Sequence, residues 1–211
     1  MQAVNGGALV EVNDLAAYAI AALSEASGDA PITSTSPSML SITQANGVSV
    51  LENALLRVEI NAAGDITRIY DKQALAAASS LGEVLPPGAL GNALLAFEDR
   101  PMNFDAWDID IFYEDRTEKV EGVESITIIE QGSLRVGLEI KRTYRHSKIR
   151  QTIYLYRDSK RIDFETWIDW AEQHTLLKVA FPVTVLSPMA TFEVQWGNVQ
   201  RTTHRNTSWD W

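Results

Sequence analysis

The chain has 211 residues, 28 acidic against 18 basic, for a formal net charge of −10, and 45% of it is hydrophobic. That composition builds a folded core, and the scattered basic residues argue against a nucleic-acid or anionic-membrane partner. It contains no cysteine and three histidines, His146, His174 and His204, which excludes disulfides and thiolate metal sites and favours a cytoplasmic setting.

Near the start, Ala8–Val12 and Ala16–Leu23 fit either strands or short helices, separated by a turn at Asn13 and Asp14. The apolar stretch LAAYAIAAL is too short to span a bilayer and lacks the flanks of a signal peptide. SGDAPITSTSPS, from Ser27 to Ser38, is small, polar and proline-bearing, as a linker or exposed loop is. This divides the chain into an upstream β segment (1–30), a loop or linker (31–47) and a main domain (48–211).

From there the pattern is β. LLRVEINAAGDITRIYDK predicts a hairpin whose connection, Asn61 to Asp65, carries a glycine able to take positive φ. The next stretch has no period, and Pro86-Pro87-Gly88 interrupts it, so it reads as a long loop with one helical turn near Leu75 to Ala78. IRQTIYLYRDSKRIDFETWIDW is a second hairpin turning at Arg157 to Lys160. In its second strand Ile162, Phe164, Thr166, Ile168 and Trp170 form a core face, leaving Asp163, Glu165, Trp167 and Asp169 outside. LRVGLEIKRTYRH, LLKVAFPVTV and ATFEVQWGNV add further strands, with Pro182 marking an edge or a bulge. Long sequential strands with almost no helical period predict a large antiparallel β-sandwich.

Chemistry-bearing residues concentrate in two places. NFDAWDID offers Asp105, Asp108 and Asp110 around Trp107. A glycosidase needs two carboxyl groups flanking one bond, but neighbours on one strand aim poorly at opposite sides of it. If the segment is a strand, Asp108 and Asp110 share one face while Trp107 and Ile109 share the other, so a core tryptophan with outward acids accounts for the same pattern. Asp108-x-Asp110 lacks the further oxygen ligands and the glycine of a calcium loop. The second place is GNVQRTTHRNTSWDW, where Arg201, His204, Arg205, Asp210 and two tryptophans lie in an irregular run. Such a segment either lines a site or packs against another domain. All three histidines fall in turns or loops, which disfavours an epimerase-like enzyme needing a histidine and a carboxylate across a cleft. No phosphate loop, nucleophile elbow or paired-histidine motif is present.

Three stretches together, ENALLRVEINAAGDITRIYDK, GNALLAFEDRPMNFDAWDID and VQRTTHRNTSWDW, resemble the C-terminal β region of glycoside hydrolase family 38, the class II α-mannosidases, over residues 50 to 211. The resemblance implies a supersandwich of the galactose-mutarotase-like kind, truncated at its C-terminus, where the aromatic end NTSWDW also suggests a cut from a longer protein. It implies a parent enzyme that is a retaining exo-α-mannosidase acting on α-mannosides. That enzyme's one zinc ion and its aspartate nucleophile would lie in an N-terminal catalytic domain followed by a helical bundle, the partners of this piece. No residue of this chain inherits a catalytic or zinc-binding role. The resemblance casts Asp105, Trp107, Asp108 and Asp110, with Arg201, His204 and Arg205, as pocket-rim or domain-packing residues. It also implies self-association through an uncovered domain interface. A different reading is a stand-alone carbohydrate-binding module, suggested by the acidic face around Trp167.

Overall fold

A computed structural model describes residues 1–12, 15–17, 19–20, 39–74, 82–104 and 107–205. Two four-stranded antiparallel sheets make the body. The first comprises β3 (Ser41–Ala45), β4 (Val48–Glu52), β5 (Leu56–Ile60) and β6 (Ile66–Asp71), joined in sequence order. The second comprises β9 (Gly122–Gln131), β10 (Arg135–Tyr144), β11 (Ser147–Tyr156) and β12 (Ile162–Asp169), again in sequence order. Alternation supplies the glue. Leu51, Val58, Ile60 and Ile66 meet Val136, Leu138, Ile140, Ile153 and Leu155 in one apolar cluster with almost no exposed surface, the arrangement that a sheet with one apolar face requires. The all-β antiparallel sandwich read from the sequence is the observed fold.

The β5–β6 hairpin turns at Asn61 to Asp65. The Asn61 side chain accepts from the Ala63 and Asp65 amides at 2.9 and 3.0 Å, and Gly64 takes φ +74°. No other residue fits at Gly64, since a Cβ there would lie 2.3 Å from the Arg142 guanidinium. Strand β3 lies within the stretch read as linker from 31 to 47, because Ile42 turns into the core and the strand pairs with β4 from Ser41↔Glu52 to Ala45↔Val48. The rest of the linker from 27 to 38 and the helical turn expected over 75–78 lie outside the described residues.

A third sheet has the order β13 (Thr175–Ala180), β7 (Ala93–Glu98), β8 (Thr117–Lys119). Leu94, Ala96 and Leu177 press its inner face onto Tyr144, Ile149 and Trp170 of the second sheet. Two hairpins complete the chain, β1 (Gln2–Val4) with β2 (Gly7–Leu9) and β14 (Met189–Val194) with β15 (Gly197–Thr202). The expected core face of β12 is buried only at its ends: Ile162 and Phe164 join the first cluster and Trp170 the second, whereas Ile168 stands exposed because β12 is the edge of its sheet. Pro182 lies just beyond the end of β13, whose ladder stops at Ala180↔Ala93, as expected of a residue with no N–H to donate. Among the described residues no helix is long and apolar enough to cross a membrane.

Candidate functional site

The segment following β7 folds back over the outer face of the third sheet instead of forming a strand. Phe104 takes φ +55°, and its carbonyl accepts from the amides of Trp107 and Asp108 at 2.8 and 3.0 Å, closing a turn. The Asp110 carboxylate accepts from the Met102 amide at 2.7 Å and clamps the loop. A 3-10 turn follows at Ile111–Asp115. The alternation assumed for Asp108 and Asp110 therefore does not apply, and Trp107 is no core residue: it is 88% exposed. The aromatic that goes inside is Tyr113, at 5%. Asp105 lies outside the described residues, as does Asp210.

Tyr113 anchors a polar cluster. Its ring packs on Phe97 of β7 with centroids 5.3 Å apart. Lys178 of β13 donates to the Tyr113 hydroxyl at 2.9 Å and stands 4.6 Å from the Tyr113 ring centroid. The same hydroxyl donates to Glu114 at 3.0 Å, and Arg205 reaches Glu114 at 2.5 Å. Hydrogen bonds from Arg205 and then Tyr113 hold the Glu114 carboxyl below the usual range, and Glu114 in turn raises the Arg205 guanidinium. The two stretches singled out in the sequence are thus tied together, through residues that reading missed. Phe97, Tyr113, Glu114 and Lys178 sit in plain strands or in IFYEDR, and only the non-local pairing of β7 with β13 brings them together. Arg201 on β15 and His204 in the following bend are both exposed, and the His204 carbonyl accepts from Thr202 Oγ1 at 3.1 Å.

Beside this cluster opens a polar cleft of about 480 Å³ lined by Glu98, Glu118, Tyr144 and His174, among others. Two of its carboxylates are engaged: Glu118 accepts from Tyr144 at 3.1 Å and from Arg145 at 2.8 Å, and Glu98 pairs with Arg100 and Arg116 at 2.9 and 3.0 Å. Burial, and then the bond to Glu118, push the Tyr144 hydroxyl up. His174, at φ +50°, lies in a bend and accepts at its carbonyl from Asp99 N at 2.8 Å. The cleft offers hydrogen-bonding groups of both signs, as sugar hydroxyls require. Among the described residues no group of three or more histidines or carboxylates is placed to hold a metal ion. The resemblance places its zinc in another domain, and the described residues of this chain offer no donor set that would fit it.

Comparison with known proteins adds three findings. A family model described as the glycosyl hydrolases family 38 C-terminal domain matches residues 51–211. The chain is 35% identical over 173 residues to alpha-mannosidase 2C1 of Mus musculus and 34% identical over 175 residues to that of Homo sapiens, covering 80% and 81% of this chain and 16% of each relative. The chain therefore spans about a sixth of the length of these curated relatives. The crystal structure of an alpha-mannosidase from Enterococcus faecalis V583 superposes with a TM-score of 0.59 at 17% identity, covering 76% of this chain and 20% of that one, and shares the fold.

Proposed function

Because the chain belongs to glycosyl hydrolase family 38, within the family's C-terminal domain, we propose that it is the non-catalytic β-sandwich portion of a retaining, zinc-dependent α-mannosidase acting on terminal α-mannosides. In this reading it supports the N-terminal catalytic and helical-bundle domains, contributes the loop around Trp107 and the Arg205 segment to the pocket rim, and works in the cytoplasm, for which the cysteine-free sequence speaks.

One observation carries the reading. Large apolar side chains stand out in solvent on the loop before the 3-10 turn and beyond β13: Phe104, Trp107 and Phe112, then Leu186, Phe192 and Trp196. Exposure of several large apolar side chains within short stretches supports a surface that another domain covers. The Tyr113–Glu114–Arg205 cluster fixes the first of these stretches in place, as a rim element must be fixed.

The test is hydrolysis of p-nitrophenyl α-mannoside by the 211-residue chain, with and without zinc. No turnover is expected in either condition from a chain shown to be folded by circular dichroism. Hydrolysis that survives a chelator overturns the reading and returns Asp108 and Asp110 to consideration as catalysts. In an intact family enzyme carrying this segment, Trp107→Ala is expected to raise KM for the mannoside severalfold; an unchanged KM reduces the loop to domain packing.

A further inference from the structure

The chain as a whole carries a net charge of −10, yet a groove of about 450 Å³ on the second sheet is lined by Lys141, Arg142, Lys148 and Arg150 against one carboxylate, Glu124. No stretch of the sequence announces this, because strand register assembles it: Lys141 stands opposite Arg150, and Arg150 opposite Trp167. Trp167, which also lines the groove, lies one position before Ile168 on β12, and successive strand residues point to opposite faces. Ile168 is paired with Ile149, which packs inward against the third sheet. Trp167 therefore stands on the other face of the second sheet, away from the Tyr113 cluster. The volume falls within the range of about 300–1,000 Å³ usual for small-molecule sites.

The four cations differ in what neutralises them. Lys141 has Glu139 at 3.1 Å. Arg142 is buried and donates to the Ala63 carbonyl on the inner side of the sheet. It shares Asp65 with Lys119, which holds that carboxylate at 2.6 Å, so one positive charge is left over behind the groove, where water and salt screen it weakly. Lys148 and Arg150 are exposed, and among the described residues neither is in an ion pair. The Arg150 guanidinium carbon instead lies 5.7 Å from the Trp167 ring centroid, near the limit of a cation–π contact. Its place directly opposite Lys141 is repulsive. Glu165 and Asp169 share the strand face of Trp167, and Asp169 is the register partner of Lys148, but neither lines the groove. Two unpaired cations are thus left beside an indole that is 51% exposed, with Glu124 alone among the lining residues to oppose them.

Charge and shape together set the ligand class. Surplus positive charge selects an anion. A guanidinium fork beside an ammonium suits the several oxygens of a phosphate group, and a dianion offsets both cations. The indole adds flat apolar area on which a ring attached to that group can stack. A nucleic-acid strand needs a row of such contacts along its backbone, and the acidic chain around this groove provides none. We propose that the Lys148–Arg150–Trp167 groove binds a phosphate monoester carried on a ring, whether a sugar phosphate or a nucleoside monophosphate, at a site separate from the rim.

The experiment titrates glucose 6-phosphate, adenosine monophosphate, inorganic phosphate and methyl α-glucopyranoside into the isotope-labelled chain at constant ionic strength, following amide and indole N–H shifts by NMR. Expected is saturable, millimolar binding of at least one of the two esters, centred on Lys148, Arg150 and Trp167, tighter than that of inorganic phosphate and absent for the neutral glucoside; the ester that binds more tightly identifies the ring. Lys148→Gln with Arg150→Gln is expected to weaken it about tenfold or more, as is Trp167→Ala, while Trp107→Ala leaves it unchanged. All three groove positions are exposed, so these variants keep the fold, and their amide spectra are the control. Absence of saturable shifts up to about 0.1 M of either ester, equal binding of the neutral glucoside, esters that bind no more tightly than inorganic phosphate, or affinity that survives the double variant each overturn the proposal. Since it needs no mannosidase activity, it can fail while the proposed function stands, and the reverse.

Discussion

Arg142 is the residue at which packing and charge conflict most sharply. Only 1% of it is exposed. Its Nη2 donates to the Ala63 carbonyl at 3.1 Å, while Nε and Nη1 have no hydrogen-bond partner among the described residues. Burial pushes its pKa down, and attraction to Asp65 only partly opposes this; Asp65 is itself bonded to Lys119 at 2.6 Å. A base whose folded-state pKa lies below its unfolded value holds a charge that works against folding wherever both states are protonated. Arg142→Met is therefore expected to leave stability unchanged or raise it by about 1–2 kcal/mol, read from the urea midpoint. A loss above about 2 kcal/mol sinks this account and makes Arg142 a needed partner of Asp65. The inward position of Arg142 was legible, since Val136, Leu138, Ile140, Arg142 and Tyr144 alternate on β10. The placement of Trp107 was not. Nothing local announces the positive φ at Phe104 or the bond from Met102 to Asp110 that turns the indole outward, so period two was applied where no strand exists.

At the level of elements, sequential hairpins were readable because each strand meets its neighbour across a short turn: β5 with β6 around Gly64, and β11 with β12 around Arg157 to Lys160. Pairing between distant strands was not. The β7–β13 ladder joins Ala93–Glu98 to Thr175–Ala180, and no periodicity encodes which distant strand a given one will choose. That ladder is also what assembles the candidate site, so the site was hidden for the same reason. The β1–β2 hairpin poses a similar long-range dependence. Gln2 donates to Glu130 and to the Arg135 carbonyl at 2.8 Å and accepts from the Leu134 and Arg135 amides at 2.7 and 2.8 Å. Gln2→Ala is expected to cost the hairpin about 2 kcal/mol and to speed hydrogen exchange in residues 2–9 while β10 and β11 keep their protection. Unaltered exchange in the hairpin contradicts the assignment of Gln2 as its anchor.

For the whole molecule, the exposed apolar side chains from Phe104 to Phe112 and from Leu186 to Trp196 predict concentration-dependent self-association through that surface. Light scattering is expected to give a mass that rises above one chain with concentration; a single-chain mass across a wide range removes the prediction. The sandwich as a class followed from composition and alternation and an uncovered interface from the resemblance, whereas the side chains left exposed follow from the way the loop before Tyr113 folds outward. The Gln2 anchor has a further consequence for how the chain comes off the ribosome. Its partners lie 128 and 133 residues downstream, so at about 5–20 residues per second the first hairpin waits roughly 7–27 s for its dock to be synthesised. During that interval the first hairpin has no native partner within this segment to hold it, and a chaperone that binds the emerging chain would encounter this strand before the rest of the sandwich can claim it.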